Sequence, residues 1–172
     1  MTTCLILGGA DSVWSDTEAA LNLGEFDGVV GANLIGIYWP GSFDAFVSLH
    51  PDKFKVWAER RRRRGLPAHK ALIGNTDTDP RFPGQEGPGS SGLFALKVAL
   101  VDMGFDRAVL CGVPLTSSPH FNDTANWRHA TYYHAAFHSI LPQIADRARS
   151  MSGLTRDILG APTPEWISGQ ED

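Results

Sequence analysis

Cys4-Leu5-Ile6-Leu7-Gly8-Gly9-Ala10-Asp11-Ser12 is the stretch that decides the fold. Four consecutive apolar residues closed by two glycines predict a short strand buried on both faces, because a strand with one solvated face alternates apolar and polar residues. Ser15 stands three residues before Glu18, a capping-box spacing, so a helix is expected next, stopping at Gly24.

The same grammar repeats outward. Strands are predicted over 28–32, ending at Asn33; over 45–49, ending at His50; over 71–73, ending at Gly74; and over 108–111, closed by Gly112. Between them, Pro51 suits the first turn of a helix that carries Phe54, Trp57, Ala58 and Arg61 at helical spacing and ends at Gly65 and Pro67. Ser90 or Ser91 caps a helix through Met103, with Leu93, Leu96, Leu100 and Met103 on one stripe. A long helix is expected over 125–149. Strands alternating with helices imply a three-layer Rossmann-like α/β domain with a mainly parallel sheet of about five or six strands. That domain is placed at residues 1–152, and residues 153–172, with Pro162 and Pro164, read as a polar C-terminal tail.

Composition sets the outer bounds. A chain of 172 residues with 42% hydrophobic and 20% charged residues fits one globular domain. A net charge of −4 argues against nucleic acid as the main partner. Cys4 and Cys111 sit inside apolar runs and read as buried thiols rather than a disulfide or zinc framework. Met1-Thr2-Thr3 opens no signal peptide, and no apolar run nears the ~20 residues of a membrane span. A cytoplasmic protein without a membrane partner is the expectation, and homo-oligomerisation stays open.

In a parallel sheet of this kind ligands bind outside the carboxyl ends of the strands. Gly8, Gly9, Ala10, Asp11 and Ser12 form a strand-to-helix turn whose amides suit an anion; the plainer reading is a tight turn. Gly87-Pro88-Gly89-Ser90-Ser91-Gly92 matches G-x-G-x-x-G, but a long loop precedes it and no acidic residue ends the next strand, so it is not a dinucleotide fingerprint. Its informative part is Ser90-Ser91-Gly92, which puts two hydroxyls and unpaired amides at a helix N-terminus. Neither a Walker A sequence nor a G-x-S-x-G nucleophile elbow occurs. Asn75–Gly89 is long and aperiodic, the kind of loop that closes over a site. His120 lies in the loop past the last predicted strand, where it serves either as general acid or base, with Asp123 to orient it, or as an ordinary loop histidine. His134 and His138 share a helix face without announcing a metal geometry, and Trp127, Tyr132 and Tyr133 read as packing residues rather than as a base-stacking platform. The run Arg60 to Arg64 wraps a helix end; it reads as a solvated terminus or as a patch for an acidic partner.

Taken together, Leu5 to Ser12, Val30-Gly31-Ala32-Asn33, Ser90-Ser91-Gly92 with Ala95 and Ala99, Gly104-Phe105 and Val109-Leu110-Cys111-Gly112 resemble one scheme. It is that of the bacterial sialyltransferase-like and 6-hydroxymethylpterin pyrophosphokinase-like Rossmann proteins, phage members included, over roughly residues 4 to 140. The resemblance implies a nucleotide held by the first glycine loop, Asn33, the Ser-Ser-Gly turn and Gly112. It also implies a downstream histidine acting as base, which His120 matches. These relatives carry an acidic residue two places after the last glycine, where this chain has Pro114. Three functions follow. The first is a nucleotide-sugar glycosyltransferase acting on an acceptor the sequence does not name. The second is a phosphoryl or pyrophosphoryl transferase using a divalent cation, with Asp11, Asp77 or Asp79 as ligands. The third is a non-catalytic nucleotide-binding protein, favoured by Pro114.

Overall fold

A computed structural model describes residues 1–170. Its strands are β1 (Thr3–Leu7), β2 (Gly28–Ala32), β3 (Ala45–Ser48), β4 (Leu72–Gly74), β5 (Arg107–Cys111) and β6 (Ala148–Ser150). They form one sheet in the order β4-β3-β2-β1-β5-β6, with every pairing parallel. The helices are α1 (Val13–Leu23), α2 (Ile35–Tyr38), α3 (Phe54–Arg63), α4 (Ser91–Lys97), α5 (His134–Ser139), α6 (Leu141–Ile144), α7 (Gly153–Leu159) and α8 (Pro164–Ser168). The architecture is the Rossmann-like α/β fold that the sequence predicts.

Double-sided burial explains the unbroken apolar run of β1. Cys4 and Ile6 point into the larger core, with Leu93, Phe94 and Leu96 of α4, Phe137 of α5 and Ile144 of α6. Leu5 and Leu7 point to the opposite face, with Val13 and Ala20 of α1, Ile35 of α2 and Trp166 of α8. These four side chains are fully buried, and each one of leucine size removes apolar surface worth about 1.5–3 kcal/mol. Burial also pushes the Cys4 and Cys111 thiols above their ordinary range, so both stay protonated packing groups.

Four local expectations are corrected. First, α1 starts at Val13, and Ser15 lies within it; no capping box with Glu18 forms, because Asp16 turns inward and fixes the helix phase. Second, 125–149 is not one helix. A loop runs to His129 and a helical turn spans Ala130–Tyr133; α5 and α6 follow, and then the sixth strand. Pro142 enforces the break, since it has no amide to continue a helix and sits in the first turn of α6. Third, the segment from Gly153 is structured. Thr163 caps α8 by accepting from the Trp166 amide, and Trp166 and Ile167 are buried against the sheet. The guanidinium groups of Arg107 and Arg149 lie 4.8 and 4.9 Å from the Trp166 ring centre.

Fourth, the arginine run divides by depth. Arg61 is 1% exposed and donates to the carbonyls of Gly36, Trp39, Gly41 and Pro67, which closes the end of α2. Arg62 and Arg63 pair with Glu59 on the surface, and Arg64 lies over the Tyr38 ring. Among the described residues no helix is long and apolar enough to cross a membrane.

Candidate functional site

The strand order reverses at β1. Strands β2, β3 and β4 extend to one side, and the chain returns through α4 to place β5 on the other. Such a reversal leaves a crevice beyond the carboxyl ends. Here it is a cavity of about 270 Å³. Gly8, Gly9 and Ala10 after β1, Asn33 after β2, His50 after β3, Gly112 after β5, Ser90, Ser91 and Gly92 at the start of α4, and His120 all line it.

The glycines divide by cause. A Cβ on Gly8 would lie 2.2 Å from the Gly112 carbonyl oxygen, and one on Gly112, at φ +67°, would lie 2.5 Å from Val13 Cβ. One on Gly92 would meet Val113 at 2.6 Å. Those three are required by packing between elements. A Cβ on Gly9 would meet only the His120 ring, at 3.6 Å.

Amide accounting divides the backbone donors in the same way. Gly8, Ala10 and Asp11 donate to Cys111 O, Gly112 O and Pro119 O. Among the described residues the Gly9 amide has no acceptor, and neither do those of Ser91 and Gly92. Ser90 Oγ caps α4 by accepting from Leu93 N at 3.2 Å, so the Ser91 hydroxyl is the freer of the two.

Two non-glycine residues have positive φ among the described residues, Asn33 at 60° and Leu115 at 50°, and both line this cavity. Such strain persists only where surroundings impose it, and it gathers at functional sites. The buried Ser48 hydroxyl donates to Asn33 Oδ1 at 2.8 Å and accepts from His50 N at 2.9 Å. This fixes the amide orientation and leaves Asn33 Nδ2 as a donor for the cavity.

The remaining wall is the loop 112–129. Pro119 bridges Asn126, and Trp127 N donates to Ser118 O, which folds the loop back on itself. Ala10 then bridges His120, and Phe121 N donates to Gly9 O, so the first glycine turn carries the loop. His120 is exposed at the cavity mouth, 5.9 Å from the Trp127 ring, and Trp127 stacks on Tyr133 at 5.5 Å and 17°. Trp127 and Tyr133, read as packing residues, are also cavity wall; Tyr132 is exposed.

Other candidates lie outside. Asp11 is exposed, and the Ser12 hydroxyl donates to Asp16 within the turn. Asp123 does not hold the His120 ring; its Oδ1 accepts from the amides of Ala125 and Thr124, which keep its carboxyl below the usual range. Loop 75–89 is not a cover either. Phe82 and Gln85 are buried, Gln143 donates to Pro83 O and Glu86 N to Ser139 Oγ, so it is pinned beside α5 and α6. Asp77 caps Gly74 N, and Asp79 holds Arg81, so neither converges with Asp11. Among the described residues no three His, Cys, Asp or Glu side chains cluster in a way that could hold a metal ion. His134 Nε2 donates to Leu115 O at 3.0 Å, which props the loop.

No family model matches the chain, and no curated protein does. A solved structure does: the sialyltransferase CstII from Campylobacter jejuni, in complex with the substrate analogue CMP-3FNeuAc. The fold is sialyltransferase-like. The TM-score is 0.62 over 97% of this chain and 87% of that one, at 10% identity. At that identity the likeness is one of fold alone. His50, Thr116, Ser118 and the Trp127–Tyr133 pair were not picked out as site residues from sequence. His50 alone left a signal, as the residue ending the third predicted strand.

Proposed function

We propose that the chain is a glycosyltransferase that uses a nucleotide-sugar donor. The observation that carries this reading is convergence. Four separated segments, 8–10, 33, 90–92 and 120, line one cavity at the reversal point of the sheet. In this reading the amides of Gly9, Ser91 and Gly92 and the Ser91 hydroxyl hold the donor phosphate, and Asn33 Nδ2 holds a polar edge of the sugar or ribose. The acceptor oxygen attacks the anomeric carbon. The bond from that carbon to the phosphate oxygen breaks with its electron pair leaving on the nucleotide, and His120 takes the hydroxyl proton. The structural neighbour holds a CMP-sugar analogue, so CMP is the first donor nucleotide to test.

CMP at a hundred times its dissociation constant adds about 2.7 kcal/mol to stability in a thermal-shift assay. His120→Ala abolishes transfer and leaves CMP affinity within a few-fold. Equal loss of binding and turnover removes His120 as base. A second reading, a non-catalytic nucleotide binder, is favoured by the lack, among the described residues, of a side chain hydrogen-bonded to His120, and by Pro114 in the cavity wall. Recovery of unaltered CMP-sugar after incubation with acceptors would select it.

A further inference from the structure

We propose that the open edge of the sheet at β4 docks a partner polypeptide, an extended segment of alternating acidic and apolar residues that adds to the sheet as a further strand. The two edges differ. Beside β6 the Ser150 amide donates to Gly160 O, so the chain itself closes that edge. On β4, Phe46 N donates to Ala71 O, and the register pairs Phe46 with Leu72 and Val47 with Ile73. Backbone groups alternate in direction along a strand, so those of Ala71 and Ile73 face β3 and those of Leu72 and Gly74 face outward. Gly74 is closed locally, since its amide donates to Asp77 Oδ2 and its carbonyl accepts from Asp77 N. Among the described residues the outward amide and carbonyl of Leu72 have no partner. One residue of an antiparallel segment exchanges both hydrogen bonds with such a position.

The surrounding side chains name the partner. Registered neighbours share a face of the sheet, so Leu72 lies on the side of Phe46, where Phe54 and Trp57 of α3 pack on that ring at 5.3 and 5.7 Å. The helix covers Phe46 completely and leaves Leu72 44% exposed. A groove of about 590 Å³ remains, with Ala58, Leu66, Ala68 and Leu72 as its apolar lining and the exposed Lys55 and Arg62 as cations. Glu59, the acid there, is shared by Arg62 and Arg63, and among the described residues Lys55 pairs with no carboxylate. Residues 53–70 hold eight of the 15 Lys and Arg side chains and one of the 19 Asp and Glu. This flank is therefore basic on a chain that is acidic overall. A second copy of the same edge sets like charge against like charge, whereas a segment bearing carboxylates is attracted. A nucleic acid or an anionic membrane meets the cations but brings no amide and carbonyl to exchange with Leu72. The groove shares no lining residue with the candidate cavity.

The test is fluorescence anisotropy of a labelled peptide, DVEVDVE blocked at both ends, titrated with the full chain. Saturable binding is expected, at least about tenfold tighter than that of the lysine counterpart KVKVKVK and weakening as salt rises. N-methylation of the three peptide valines, which removes the amides that face Leu72 and keeps every charge, weakens binding about tenfold. Leu72→Asp weakens it by at least as much, and Lys55→Glu by about two- to fivefold. No binding up to about 1 mM peptide, equal binding of the N-methylated peptide, or binding unchanged by Leu72→Asp overturns the proposal. Tighter binding of an oligothymidylate or of phosphatidylserine vesicles also overturns it, by assigning the basic flank to nucleic acid or lipid. Self-association in sedimentation velocity that Leu72→Asp abolishes overturns it by assigning the edge to a second copy of the chain.

Discussion

Replacing Asn33 by glycine separates what this residue does for the fold from what it does for a ligand. Asn33 sits at φ 60°, where a residue with a Cβ is strained and asparagine less than most. Its Oδ1 accepts the hydrogen bond of the buried Ser48 hydroxyl, worth about 1 kcal/mol net. Glycine forfeits that bond but relieves roughly 0.5–1 kcal/mol of backbone strain, so Asn33→Gly changes unfolding free energy by less than about 1 kcal/mol. Alanine forfeits the bond and raises the strain, so Asn33→Ala costs about 2–3 kcal/mol. Urea denaturation of the two variants measures this contrast. Calorimetric titration with CMP-sugar then measures the ligand side. Loss of one hydrogen bond from Nδ2 weakens binding about three- to tenfold in both variants. Equal destabilisation by glycine and alanine would refute the strain argument. Unchanged affinity in the glycine variant would refute the placement of the donor against Asn33.

Two further outcomes concern the frame of the site. The buried Asp16 carboxylate takes hydrogen bonds from Gly112 N at 2.9 Å, Ser152 Oγ at 2.6 Å and Ser12 Oγ at 3.0 Å; Asp16→Ala leaves the Gly112 amide buried and unpaired, so urea midpoints should fall by the equivalent of about 2–4 kcal/mol, and by less in Asp16→Asn, which keeps an acceptor. Burial, with Arg61 nearby, holds the His69 imidazole below its ordinary range against the opposing pull of the Gly36 carbonyl, so the unfolded chain binds the proton more tightly. His69 stability is then intact above pH about 6.5 and lost as pH falls below it, and a His69→Phe chain should show a flatter stability slope between about pH 5 and 7 in urea titrations.

The fold was legible where a side-chain pattern reports a buried strand, and illegible where burial comes from partners far along the chain. β1, β2 and β5 are buried on both faces, so their apolar runs stand out locally. β6 is Ala148-Arg149-Ser150, three residues with one apolar member; only its register beside β5 makes it a strand. Of the helix expected over 125–149 only α5, α6 and a preceding turn form, and Pro142, with no amide to continue a helix, sits in the first turn of α6. Pro162 and Pro164 read in sequence as part of a polar tail, although Thr163-Pro164 is an N-cap followed by a first-turn proline; the buried Trp166 after it settles which applies. Arg61 is the hardest case. Its helical spacing from Phe54 and Trp57 sets it on their buried face, but nothing local announces the four carbonyls, at positions 36, 39, 41 and 67, that hold its guanidinium there.

The candidate site rests on a signal with two causes. Of the glycines that end predicted strands, Gly8, Gly9 and Gly112 line the cavity and Gly74 does not. Yet Gly8, Gly92 and Gly112 are small because β1, β5, α1 and the Val113 side chain crowd one another there. The two causes are linked through geometry. Strand ends packed this closely turn sharply, and the sharp turns use up the amides of Gly8, Ala10 and Asp11 in holding the neighbouring loop. What they leave over, the amides of Gly9, Ser91 and Gly92, is therefore fixed in direction by bonds on either side. A cradle of few donors held rigidly favours an anion more than many mobile ones do, because little reorganisation remains to be done when the ligand arrives.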